Sequence, residues 1–208
     1  MDLGRPYRVL AHPLDGSVLA VLSATTRPLT GREVARLAPE GSQPAISKAL
    51  GRLADGGLVE RREAGNALLY TLNRDHLAAP AAVLLADLRN VLIERLRAET
   101  ARWDVQPLHA SIFGSAARRD GDATSDIDLL IVRPERTAVD DQQWREQLDR
   151  LADAVRRWTG NRASISELAE SDLGRLAEER PPVIEAISAD AITLVGDDAV
   201  RLFRKDAV

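Results

Sequence analysis

The chain of 208 residues contains no cysteine. That excludes a disulfide scaffold, thiolate zinc ligation and thiol chemistry, and it accords with a reducing, cytoplasmic setting. Histidine is scarce: His12, His76 and His109 stand far apart, with no second histidine close to any of them, so no zinc site is expected. No apolar run approaches the roughly twenty residues of a membrane span, and the opening MDLGRPYRVLAHPLDG lacks a basic stretch followed by a long apolar core. A soluble, non-exported protein without a membrane partner is therefore expected. Internal repeats and low-complexity tracts are also missing. What is there, 45% hydrophobic and 29% charged residues, suits a chain that buries its own core. The length leans toward two modest domains.

The net charge of −4 conceals an asymmetry. Residues 1–75 carry 10 Lys and Arg against 8 Asp and Glu, residues 76–103 carry 4 against 3, and residues 104–208 carry 14 against 21. A mildly basic front is compatible with nucleic acid, and an acidic back with cations.

In the front part, Val18, Leu19, Val21 and Leu22 recur at helical spacing after Asp15. Thr30 and Glu33 form a capping box that opens a second helix through Val34, Ala35 and Leu37. Ser42 is placed to cap a third, whose apolar stripe is Ile46, Ala49, Leu50 and Leu53 and whose end is Gly56-Gly57. The segment LVERREAGNALLYTL then reads as two short strands around a Gly65-Asn66 turn. Over about residues 12–75 this order resembles the winged helix-turn-helix domain of bacterial transcription regulators. The resemblance implies an operator DNA partner, with the helix after Ser42 in a major groove and the hairpin along the backbone. Gln43 would reach a base edge, Ser42 and Ser47 would bond phosphates, and Lys48, Arg52, Arg61 and Arg62 would neutralise them. Winged helices also serve as protein-interaction modules, and the residues alone leave that open.

Between His76 and Trp103, Leu77, Val83, Leu84, Leu88, Val91, Leu92, Ile93 and Leu96 mark one long apolar-faced linker helix. Its stripe must be buried, either as a brace within the chain or as a homodimer interface.

In the back part, Leu108, Ala110, Ile112 and Phe113 read as a strand arriving at Gly114-Ser115, and Asp126-Ile127-Asp128-Leu129-Leu130-Ile131-Val132 reads as a second. Alternation puts Asp126 and Asp128 on one face, with Ile127, Leu129 and Ile131 turned to the core. Adjacent carboxylates repel, and a divalent cation, magnesium or manganese, relieves them with phosphate oxygens and water completing its shell. Gly114 lets backbone approach a phosphate, and Ser115 offers a hydroxyl and an N–H group. Trp103, Trp144 and Trp158 read as core or interface anchors.

The run FGSAARRDGDATSDIDLLIV resembles the signature of the DNA polymerase beta-type nucleotidyltransferase superfamily, especially its minimal prokaryotic members, and the likeness extends more loosely over residues 104–196. It implies Asp126 and Asp128 as catalytic metal ligands, Gly114, Ser115 and Arg118 as nucleotide-binding residues, and ATP or another NTP as the ligand. The implied reaction moves a nucleoside monophosphate to a hydroxyl of a protein, such as a toxin partner of an antitoxin, or of a small molecule. In active relatives a third strand adds another carboxylate. Here that strand, Arg162 to Leu168, has Ser164 and Ser166 at the equivalent positions, with Glu167 out of phase. The alternative is therefore a transcriptional regulator whose degenerate transferase domain binds nucleotide or a partner without turnover. The expected architecture is α/β (α+β): a winged helix-turn-helix over 1–75, a linker helix over 76–103, and a nucleotidyltransferase-like small mixed sheet with flanking helices over 104–208.

Overall fold

The computed structural model describes residues 1–9, 12–118 and 120–203. The chain forms two compact units, one of residues 5–89 and one of residues 1–4 with 90–208. Both mix helices with a sheet, so the protein is of α/β class.

In the unit of residues 5–89, helix α1 (Pro13–Ser23) begins on a proline, whose missing N–H costs nothing at a first helical position. Strand β1 (Leu29–Thr30) follows, a two-residue element too short to show a sequence period. Helix α2 (Gly31–Leu37) opens on the expected capping box: the Glu33 N–H donates to Thr30 Oγ1, and Glu33 Oε2 accepts from the Thr30 N–H at 2.8 Å. Helix α3 (Gln43–Asp55) differs from expectation at its start. Ser42 occupies the N-cap position but its hydroxyl makes no capping bond, and Pro44 in the first turn helps fix the entry instead.

Strands β2 (Val59–Ala64) and β3 (Ala67–Leu72) form an antiparallel hairpin, with β1 on the other side of β3. Gly65 supplies the positive φ of the turn, +59°. Val18, Leu22, Leu29, Val34, Ile46, Leu50 and Tyr70 close the core, each fully buried aliphatic side chain contributing about 2 kcal/mol.

Helix α4 (Ala79–Thr100) carries the division between the units, which falls at residues 89 and 90, inside the segment read as a linker. In the unit of residues 1–4 and 90–208 the order continues with β4 (His109–Phe113), α5 (Gly114–Arg118), β5 (Ile127–Arg133), α6 (Gln142–Thr159), β6 (Ala163–Ala169), α7 (Leu173–Glu179), α8 (Pro182–Asp190), β7 (Ile192–Val195) and α9 (Ala199–Leu202). The sheet runs β6-β5-β4-β7; β5 and β6 are parallel and the other pairs antiparallel.

Alternation sorts the sheet's side chains onto two faces. Ala110, Ile112, Ile127, Leu129 and Ile131 pack with Trp144, Leu148, Leu151 and Val155 of α6 and with Leu92 and Leu96 of α4. Phe113, Leu130 and Val132 pack on the other face with Leu176, Ile184, Ile187 and Phe203. Trp103 meets Trp144 edge to face at 5.6 Å between ring centroids. Among the described residues no helix is long and apolar enough to cross a membrane.

Candidate functional site

The end of β4 and the start of β5 lie side by side, with Phe113 paired to Asp128. Gly114 then turns the chain at φ +67°, in the left-handed region. A Cβ built on it would stand 2.4 Å from Asp128 Oδ2, so the carboxylate occupies the space that glycine leaves open. Asp126 precedes β5 by one residue, two positions from Asp128.

Burial, above all, pushes the Asp128 carboxyl above its usual range. The Ser164 hydroxyl and the Arg118 guanidinium pull the other way, and the Asp126 charge adds to the upward push. Asp126, Arg118 and Ser164 are thus all within electrostatic or hydrogen-bonding reach of Asp128.

Ser115 and Asp126 line one small depression with Gly121 and Ser125, and a Cβ on Gly121 would sit 2.7 Å from Ser115 Oγ. The loop between α5 and β5 is held by its own side chains. Asp122 Oδ1 accepts from the Thr124 N–H and hydroxyl, each at 2.8 Å, and the Ser125 hydroxyl also reaches Asp122. These bonds, the Thr124 hydroxyl first, keep the Asp122 carboxyl below its ordinary range. Arg118 is bridged by Asp120 at 2.9 Å and by Asp190, at the end of α8, at 2.8 Å. The residues singled out in the sequence thus gather where β4 ends and β5 begins, at one end of the sheet's two inner strands: Gly114 abuts Asp128, and Ser115 shares its depression with Asp126.

The third strand fills the remaining position with a hydroxyl. β5 and β6 keep one continuous register from Ile127 opposite Ala163 to Arg133 opposite Ala169, which sets Ser164 beside Asp128 and Ser166 beside Leu130. Glu167, opposite Ile131, faces the side of the sheet that carries α6. There it accepts from Trp144 Nε1 at 3.0 Å, Arg133 Nε at 3.1 Å and Arg145 Nη1 at 3.0 Å. It is a structural hub between β5, β6 and α6, not a member of the Asp126–Asp128 group.

Among the described residues no cluster of three or more His, Cys, Asp or Glu side chains is placed to hold a metal. Two carboxylates and a hydroxyl do not make a dedicated cage. They do fit a magnesium ion that arrives with phosphates, because Mg2+ commonly takes one or two protein carboxylates and completes its octahedron with phosphate oxygens and water.

In the unit of residues 5–89 the residues read as DNA-binding have mixed surroundings. Ser42, Gln43, Ser47 and Lys48 are exposed, with Ile46, Ala49 and Leu50 buried behind them. Arg52 is tied to Asp15 at 2.5 Å, so part of its charge is already answered. Arg61 and Arg62 are both exposed, but strand alternation aims them at opposite faces of the hairpin. Arg62 pairs with Leu69 and Glu60 with Thr71 across the hairpin, and these four residues line an open concavity of about 660 Å³ together with Arg61. Arg32 and Arg36, one helical turn apart on α2, are exposed as well.

No protein-family model matches the chain, and neither the curated proteins nor the solved structures give a match.

Proposed function

We propose that the protein is a nucleotide-responsive DNA-binding regulator. On this reading the unit of residues 5–89 is a winged helix-turn-helix domain and the sheet unit is a nucleotidyltransferase-type domain that binds a magnesium-complexed nucleoside triphosphate with little or no turnover. The observation that carries it is the Gly114–Asp128–Ser164 arrangement: a carboxylate set into the gap left by a glycine, a second carboxylate two residues away, and a hydroxyl beside them on the next strand.

Asp126 and Asp128 would hold the ion between them, and the bound ion would neutralise phosphate charge. Ser115 and Arg118 would meet the phosphates, Arg118 by exchanging its Asp120 and Asp190 partners for phosphate oxygens. Phosphoryl-group transfer also needs an acceptor hydroxyl that is oriented and relieved of its proton. Ser164 is a poor proton acceptor, and Glu167 is held by three donors on the opposite face. Binding without efficient transfer follows. For the DNA-binding unit, the order α1-β1-α2-α3-β2-β3 and the exposed Gln43, Ser47 and Lys48 on α3 support the reading.

A second reading, favoured by the intact pair Asp126 and Asp128, is a magnesium-dependent transferase that moves AMP from ATP to a protein or small-molecule hydroxyl, as an antitoxin acting on its toxin would. One experiment separates the two. Full-length protein is incubated with magnesium and ATP labelled in the α-phosphate, alone and with proteins that co-purify with it. The regulator reading expects retained ATP and no covalent label, and Ser164→Asp to bring label into an acceptor for the first time. Label transferred by the wild type would establish the transferase instead.

A further inference from the structure

Asn161 lies between Gly160, the left-handed residue that ends α6, and the first residues of β6, and it is only 5% exposed. Its Nδ2 donates to the carbonyl of Ser125 at 2.8 Å and to that of Ala123 at 3.2 Å. Two carbonyl acceptors fix the amide's orientation, because only its NH₂ end can serve them. Its Oδ1 accepts from the amino group of Met1, and its backbone N–H donates to Thr159 Oγ1 at 3.0 Å. The side chain's polar atoms are all engaged, and both donations go to one loop.

That loop delivers Asp126. The next residue along, Arg162, accepts the N–H of Ile127 at 2.8 Å. The carbonyl before Asp126 and the N–H after it are therefore both held, one by the Asn161 side chain and one by the Arg162 backbone. β5 begins only at Ile127, so the regular ladder cannot secure the residues ahead of it. The Asn161 amide stands in for the missing backbone donor and extends the pairing back to Ala123. Asp128 needs no such help, being fixed inside the sheet between Phe113 and Ser164.

We infer that Asn161 is a positioning residue of the nucleotide site, acting through Asp126 by setting the backbone that holds its carboxylate at the distance from Asp128 where one divalent cation is shared. The inference rests on the magnesium-nucleotide reading above. Without Asn161, one of the two carboxylates loses half of its backbone support while the other keeps all of it, and two-point ligation becomes one-point. Residues that orient metal ligands in this way typically change metal affinity by about ten- to a hundred-fold when removed.

Two measurements on the full chain test this, each on wild type, Asn161→Ala and Asn161→Asp; the aspartate keeps the shape but loses the donor. Hydrogen exchange without ligand should quicken in the segment 120–127 and stay unchanged in β4 and in residues 129–133 of β5. Titration with a fluorescent ATP analogue in magnesium should show affinity about tenfold weaker in both variants. Asn161→Ala combined with Asp126→Asn should bind no more weakly than Asp126→Asn alone, since the asparagine acts only through that aspartate. Unchanged exchange in 120–127 would overturn the clamp. Wild-type affinity in Asn161→Ala, or losses that add in the double variant, would overturn the positioning role alone. A wild type that binds no magnesium nucleotide, with exchange responding as expected, would overturn the nucleotide reading and the role with it.

Discussion

Asp128 carries a conflict between stability and chemistry. Burial raises its carboxyl pKa, so folding holds a charged group where a neutral one would sit more easily. Asp128→Asn keeps the shape and an acceptor for Ser164. It is expected to melt at the wild-type temperature or about 2 °C above it, while magnesium-dependent nucleotide binding disappears; differential scanning fluorimetry alongside a binding titration reads both. Gly114→Ala should fail on both counts, losing about 1–2 kcal/mol to a left-handed backbone and driving a methyl into the same carboxylate.

His109 offers a pH test of the same unit. It is fully buried on β4; Nδ1 lies 2.9 Å from the carbonyl oxygen of Asp197 and so carries the proton, and Nε2 has no partner among the described residues. Burial, the largest influence, holds its pKa below the ordinary 6.5. The unfolded chain takes up the proton as pH falls through that value and the folded chain resists it, so this contribution is complete above about pH 6.5 and is lost toward lower pH, at most about 1.4 kcal/mol per pH unit. Chemical denaturation at pH 7.5 and 5.5 should show the loss, and His109→Gln should flatten it.

At the scale of elements, period-two and helical patterning made much of the fold readable. The alternation of Asp126, Ile127, Asp128 and Leu129 separates charge from core, and the Thr30–Glu33 box marks the start of α2 within the residues that form it. What stayed hidden depends on partners distant in sequence or on elements too short to have a period. β1 is two residues long and exists because β3 lies beside it. Glu167 could not be assigned until its partners Arg133, Arg145 and Trp144 were known, and Arg118 is completed by Asp190, 72 residues away. Nothing in the local sequence marks Asn161, whose side chain bonds to a loop 36 residues earlier.

Helix α3 gives a prediction at this scale. Gly51 lies mid-helix, and a Cβ there would meet no atom within 4 Å. Gly51→Ala should therefore stabilise the protein by about 1 kcal/mol in denaturant unfolding. Lys48→Ala should leave stability within about 0.5 kcal/mol and lower affinity for duplex DNA with a shallower salt dependence.

Over the whole molecule, residues 1–75 are slightly basic and residues 104–208 acidic. The regulator reading needs the two units to be coupled energetically, so duplex DNA affinity measured with and without magnesium and ATP should differ by at least about fivefold in wild type and be unchanged in Asp128→Asn. The most direct test of the central claim is a calorimetric titration of the full chain with ATP, in magnesium and in excess chelator, for wild type and Asp128→Asn. Saturable one-to-one binding that needs magnesium and vanishes in the variant is the predicted result. Binding indifferent to magnesium and to the aspartate, or no binding by the wild type, would contradict it.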